Sequence, residues 1–386
     1  MKNQKIMFVF ASMFAVSIGM GLLTPFISLY SKISFNATGI WLGIVFSGFS
    51  LSKIITTPFI GLTSDRKGKK KVLLIGSMLY SFIPFAYIYT DTIYALLIVR
   101  LVHGFAAAFM TPIIIAYLGE ISPKGREGRY MALLNLPLFL GTAIGPLLGG
   151  FLIDIEAKYL FYLMEVFFLI TLIMVFLYPD IEENNIQFVQ NYSISQSLKD
   201  HKTRILIIFG FLNSLSRSLI ISFVPIFAYT FLNLDGYQIG IIFSLSTAVS
   251  FLLQYPFGIV SDQLSKVRLI LLGSFIYSSA LLLIPFSQYF WDLLFLNLVF
   301  NIGNALTAPA SMGSAAVLGR DLGIGTIVGL VDTAMGIGMI VGPIIAGMIM
   351  DLASIEMAFY LIGLINIVGL VVIYLLNTKL PETKKF

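Results

Sequence analysis

Twelve stretches of about twenty predominantly apolar residues divide this chain, and that spacing constrains the fold more than any other feature. They begin near Ile6, Ile40, Val72, Thr92, Tyr130 and Tyr159 in the first half, and near Arg204, Gln238, Val267, Trp291, Thr326 and Met357 in the second. Roughly 20 residues of helix cross about 30 Å of hydrocarbon. A backbone in lipid must satisfy its own hydrogen bonds, so runs of this length are helices rather than open strands. Composition agrees, because only 11% of the residues are charged against roughly 25% in a soluble domain. The expected fold is an all-α polytopic membrane protein with twelve transmembrane helices. Residues 1–23 have the basic start and apolar core of a leader peptide, but the many similar segments that follow make them the first span.

Several chemistries are excluded at once. The chain has no cysteine, which removes disulfides, CxxC metal sites, haem attachment and thiol nucleophiles. Its two histidines, His103 and His201, form no HExxH pattern, and neither GxSxG nor a Walker A loop is present. An enzyme is not expected, nor is a cofactor or a metal. The net charge of +5 does not point to nucleic acid, because the basic residues sit in short loops between apolar runs.

Those loops give the orientation. With the N-terminus inside, nineteen of the 24 Lys and Arg fall on inner segments, among them Arg66, Lys67, Lys69, Lys70 and Lys71. The outer loops hold only Lys32 and Lys158, so both termini are expected in the cytoplasm and the protein in the cell membrane. The longest polar stretch, residues 180–203, reads as a cytoplasmic linker between a first bundle (1–179) and a second (204–386).

The two bundles are related by a repeat. At one gap-free offset of 197 residues, Gly61, Ser64 and Asp65 pair with Gly258, Ser261 and Asp262. At the same offset Gly141, Gly145, Pro146, Gly150 and Asp154 pair with Gly338, Gly342, Pro343, Gly347 and Asp351. Two six-helix units with the same in/out sense are parallel repeats, pseudo-symmetric about an axis along the membrane normal. Substrate sites in such folds lie near the midplane, and rocking of one repeat against the other gives alternating access.

Charges inside spans mark pathways, because each costs about 2.5–3.5 kcal/mol on insertion scales unless it faces water or a partner. Five lie well inside: Lys53, Arg100, Glu165, Arg217 and Asp332. Asp332 is the first candidate for a proton carrier, with a helix-end carboxylate as the competing reading, and Glu165 is the rival carrier. His103 titrates near neutrality, yet beside Gly104 it reads equally as a packed residue. Asn297, Asn301 and Asn304, the repeat partners of Arg100, Gly104 and Ala107, share one helical face and line a cavity or join helices. Asn213 and Arg217 share a face of span seven and are assigned to the substrate cavity, with Lys53 either there or snorkelling to the inner interface.

Two runs carry a family resemblance. The loop Gly61-Leu-Thr-Ser-Asp65-Arg66-Lys-Gly68-Lys69-Lys70-Lys71 resembles the G-x-L-a-D-r-x-G-r-k signature of the major facilitator superfamily, with Thr63 in place of the usual Leu. The run Gly141-Thr-Ala-Ile-Gly145-Pro146-Leu-Leu-Gly149-Gly150 matches the g-x-x-x-G-P-x-x-G-G pattern of antiporters within it, and looks like the twelve-span drug:proton antiporters. Read physically, the same run is a flat packing face with a proline that bends the helix. The resemblance implies that Gly61, Asp65, Arg66, Gly68 and Lys69 form a cytoplasmic latch, with the basic residues meeting Glu120 and Asp65 meeting the start of span eleven near Thr326. It also implies a part for Arg100 in proton transfer. The function so implied is proton-coupled export of small amphipathic molecules, by a monomer whose partners are its substrate, protons and lipid. The alternative is an organic anion or zwitterion transporter: Lys53, Arg100 and Arg217 outnumber Glu165 and Asp332, and span one carries no acid.

Overall fold

The computed structural model describes residues 2–122, 127–179 and 194–378. Most of the expected linker (180–193), five basic residues assigned to inner segments (Lys124, Arg126, Lys379, Lys384 and Lys385) and Pro123 lie outside the described residues. Twelve helices are long and apolar enough to cross a membrane. Spans one to six are Ile6–Phe35, Gly39–Lys67, Lys69–Ile88, Ile93–Ile121, Leu133–Ile155 and Ala157–Phe176. Spans seven to twelve are His201–Phe231, Gly236–Gln263, Lys266–Phe286, Phe290–Gly319, Gly325–Leu352 and Ile355–Thr378. Among the described residues there is no strand.

The starts follow local chemistry. Thr92 ends span four's leading turn by accepting from the Ala95 amide at 3.2 Å, and Asp200 does the same for span seven through Thr203 at 2.9 Å. Span one is broken between Leu23 and Ile27, around Pro25, and span four between Ala107 and Thr111, just before Pro112. Their repeat partners, spans seven and ten, run unbroken.

The chain forms two compact units, one of Met1–Ala37, Ile44–Phe188 and Leu234–Ser244, the other of Thr38–Gly43, Val189–Asn233 and Leu245–Phe386. The first residues of spans two and eight are thus counted with the opposite unit from the rest of their helices. Within the first unit span one packs on spans five and six, and span three on spans four and six. Within the second, span seven packs on spans eleven and twelve, and span nine on spans ten and twelve. These are the same pairings shifted by the repeat. The repeat extends to backbone conformation: Asn36 and Asn233, 197 residues apart, both turn through the left-handed region, at φ 47° and 51°, which Asn tolerates better than most residues. Large apolar side chains such as Phe82, 70% exposed, and Phe295, 63% exposed, cover the outside, as a lipid-facing surface requires.

Candidate functional site

At one end of the first unit, span two ends at Lys67, the chain turns at Gly68 with φ 87°, and span three starts at Lys69. That positive φ is the reason for glycine. Lys69 is the one basic residue of this loop classed as buried, with 9% of its surface exposed. Its ammonium lies 3.2 Å from the Asp65 carboxylate, four residues back across the turn, and donates a hydrogen bond to Glu120 near the C-terminal end of span four. The loop therefore ties spans two, three and four together through one lysine. Arg66 points to the exposed side, and Gly61 has open space where a Cβ would stand.

Deeper in the same unit, Arg100 is buried against span two. Its guanidinium donates to the Val45 carbonyl at 3.1 Å and the Phe46 carbonyl at 3.2 Å, and lies 4.8 Å from the centre of the Phe49 ring. His103 has no exposed surface. Its Nδ1 is 3.0 Å from the Tyr87 hydroxyl, and the rings of Phe49, Tyr80, Tyr87 and Phe168 surround it. Its Nε2 has no hydrogen-bond partner among the described residues. The second unit explains the cage: the repeat partner of His103 is Phe300, whose ring meets Tyr277, the partner of Tyr80. An aromatic ring is thus what this position holds in both repeats.

Glu165 is 7% exposed, and its Oε2 is without a hydrogen-bond partner among the described residues. No Lys or Arg among the described residues pairs with it. Glu165 shares a helical face with Phe161 and Phe168, both of which pack on the tyrosines around His103. Lys53 is half-buried.

In the second unit the asparagines form two pairs. The Asn213 amide donates to Asn304 at 2.6 Å, joining spans seven and ten, and Asn301 donates to Asn297 at 3.1 Å along span ten. The Asn213–Asn304 bond joins two helices, whereas Asn297, which has no exposed surface, is bonded along its own helix. Arg217 is different. Every described residue from Ile205 to Ala228 is buried or half-buried except Arg217, which is exposed. It has no ion pair or hydrogen bond among the described residues.

Asp332 is exposed. The two charges are not a pair. Gly210 faces Val331 and Met335, while Gly342 faces Leu215 and Ser218, so Asp332 lies about ten residues, or roughly 15 Å, along span eleven from the level of Arg217.

The run at 141–150 sorts onto two faces. A Cβ on Gly141 would come 2.5 Å from Ser17 Cβ, and one on Gly145 would come 2.6 Å from Gly21 Cα, so this face is pressed onto span one. Gly149 continues it against Leu22. Pro146 and Gly150 turn instead to the tip of span eight, where Gly240 and Gly236 meet their carbonyls. The repeat copy does the same: Gly338 and Gly342 press on span seven, while Pro343 and Gly347 meet Gly43 and Gly39 at the tip of span two. The residues that sequence reasoning assigned no role are Tyr80 and Tyr87, visible only as buried neighbours of His103, and Asp154 and Asp351, noted there only as a repeat pair.

Twelve spans in two copies of a six-helix repeat, with charged groups inside them and an exposed arginine at mid-span, define a class: a multi-pass membrane transporter of small molecules. A family model of the Major Facilitator Superfamily matches residues 9–198 and 206–386, and the chain belongs to that superfamily. This bears out the resemblance carried by residues 61–71 and 141–150. An uncharacterized MFS-type transporter of Methanocaldococcus jannaschii is 28% identical over 97% of this chain and 98% of its own length. The quinolone resistance protein NorA of Staphylococcus aureus is 25% identical, over 96% of each chain. The crystal structure of nucleoside transporter NupG superposes with a TM-score of 0.81 at 15% identity, over 98% of this chain and all of that one, a likeness of fold alone.

Proposed function

We propose that this protein exports small amphipathic molecules across the cell membrane in exchange for protons, with both termini cytoplasmic. The observation that carries the reading is the packing of residues 141–150. An antiporter-type run is retained in span five, each glycine of its first face has a backbone neighbour that a side chain would displace, and a near copy serves span eleven. The likeness to a quinolone resistance protein supports the same reading. Residues 1–179 and 204–386 act as the two rocking repeats, the loop at Gly61–Lys69 with Glu120 is the inner latch, and the working unit is a monomer. Asp332 and Glu165 are the proton-carrying candidates: the first is exposed, and the second is buried without an ion pair among the described residues. Arg100 and His103 serve them as packed supports. Moving one proton through about 150 mV releases roughly 3.5 kcal/mol, enough for a gradient of a few hundredfold.

A second reading is favoured by one observation, Arg217, which is exposed and has no partner among the described residues. A lone cation at mid-span suits a substrate with a carboxylate, so organic anions and zwitterions belong in the test. In proteoliposomes with an internal pH dye and an imposed proton gradient, a panel of lipophilic cations and organic anions is added to the wild type and to Asp332→Asn. Proton movement triggered by substrate in the wild type, and lost in the variant, is the expected result. Substrate flux without proton movement would leave a facilitator and overturn the coupling.

A further inference from the structure

Asp154 and Asp351 stand at the ends of spans five and eleven, at matching positions of the repeat, and each reaches the first turn of another helix. Asp351 accepts from the amides of Gly39 at 2.5 Å and Ile40 at 2.8 Å, within the second unit. Asp154 accepts from the amides of Gly236 at 2.7 Å and Tyr237 at 2.8 Å, within the first. Both contacts are bidentate, both fall on the first two residues of a helix, and the offset is 197 residues in each case.

The accounting of amide groups shows what these carboxylates supply. A helix start leaves its first N–H groups without partners. At span eight the Gln238 amide is taken by Asp235 at 2.7 Å, and the Ile239 amide closes onto the Asp235 carbonyl at 3.1 Å. That leaves the Gly236 and Tyr237 amides, which no residue of their own helix satisfies and which Asp154 takes. The negative charge also meets the positive end of the helix dipole. Approach this close requires the glycines, since a Cβ on Gly39 or Gly236 would run into the Asp351 or Asp154 carboxylate oxygen.

We infer that Asp154 and Asp351 are a pair of reversible clasps that hold the leading turns of spans eight and two and are released and remade in each transport cycle. Each joins residues of different repeats, so the rocking of repeats that alternating access requires has to break it. Both carboxylates are exposed, so water replaces them when they let go, and release is not prohibitive. The other contacts on the same faces, Pro146 and Gly150, Pro343 and Gly347, are backbone packing without charge; the clasp is the polar lock at the outer end of each. This inference rests on the orientation proposed above, which places both clasps on the outer side.

The test uses the cysteine-free chain. Leu42 and Ile239, repeat partners in the clasped turns, have no exposed surface. Each is replaced singly by cysteine, and an impermeant maleimide is added to intact cells. Asp351→Ala is expected to speed labelling of Leu42→Cys about two- to fivefold, the change that a lost charge at a helix N-terminus gives. Ile40→Pro removes one donor from a first-turn position that accepts proline, and is expected to speed it too. Asp154→Ala and Tyr237→Pro do the same for Ile239→Cys. Acceleration by both the carboxylate and the donor variant supports the clasp; acceleration by neither, or by the carboxylate variant alone, overturns it. Tyr89→Cys, 78% exposed at the outer end of span three, is the control. If it is not labelled, the orientation has failed and the same rates are then read on inverted vesicles, so the clasp is still decided.

Discussion

A buried arginine and a buried histidine in one helix turn look alike in sequence, and their surroundings separate them from the exposed Arg217. Arg100 is held by two carbonyls of span two and a ring face, and His103 by four rings and one hydroxyl. Replacing His103 by Phe loses the Tyr87 hydrogen bond but also removes the buried, unpartnered Nε2. The two effects oppose, so the net change in stability is expected within about 1 kcal/mol, with substrate-driven proton movement retained. The thermal unfolding midpoint and the liposome assay check this together; a normal midpoint with proton movement abolished would return His103 to the proton path. For residues of this kind the sequence showed that they lie inside spans, which is a matter of hydropathy. Whether a charge is paired depends on neighbours fifty or more residues away, such as Val45 for Arg100, and that information is not local.

At the scale of elements, glycines of the same motif types do opposite work. Gly145 meets the backbone of Gly21 so closely that any side chain must push spans one and five apart, whereas Gly61 has nothing within 4 Å of its missing Cβ. Gly145→Val is therefore expected to cost about 3 kcal/mol or more by overpacking, seen as poor recovery of monodisperse protein. Gly61→Ala is expected to fold as well as the wild type or better, since alanine gains up to about 1 kcal/mol within a helix. Transport lost in a stable Gly61→Ala protein would then report on the inner loop's movement. The span starts read from sequence lie within three residues of those in the structure, the widest being Val72 against Lys69, Tyr130 against Leu133 and Arg204 against His201. They were legible because lipid demands one uninterrupted apolar length per crossing. The breaks in spans one and four lie at Pro25 and just before Pro112, but proline alone did not distinguish them: Pro309, the repeat partner of Pro112, sits inside an unbroken helix.

At the scale of the molecule, the loop charges set a testable topology. In intact cells an impermeant maleimide is expected to label Tyr89→Cys and to leave Arg268→Cys unlabelled until the membrane is permeabilised, and the reverse pattern would invert every inside and outside assignment made from the loops. The whole architecture of twelve spans and a parallel repeat was determined by the sequence itself, because hydropathy, loop charge and a constant offset are properties of the chain that need no knowledge of contacts. Tertiary structure alone decided what the special residues do. It divided the glycine–proline run between two helices, matched His103 with the ring of Phe300, left Arg217 as an exposed charge, and gave Asp154 and Asp351 free amides to bind. The physical reason is that a residue's work depends on which donor, ring or carbonyl lies opposite it, and in a helical membrane protein that neighbour comes from another span.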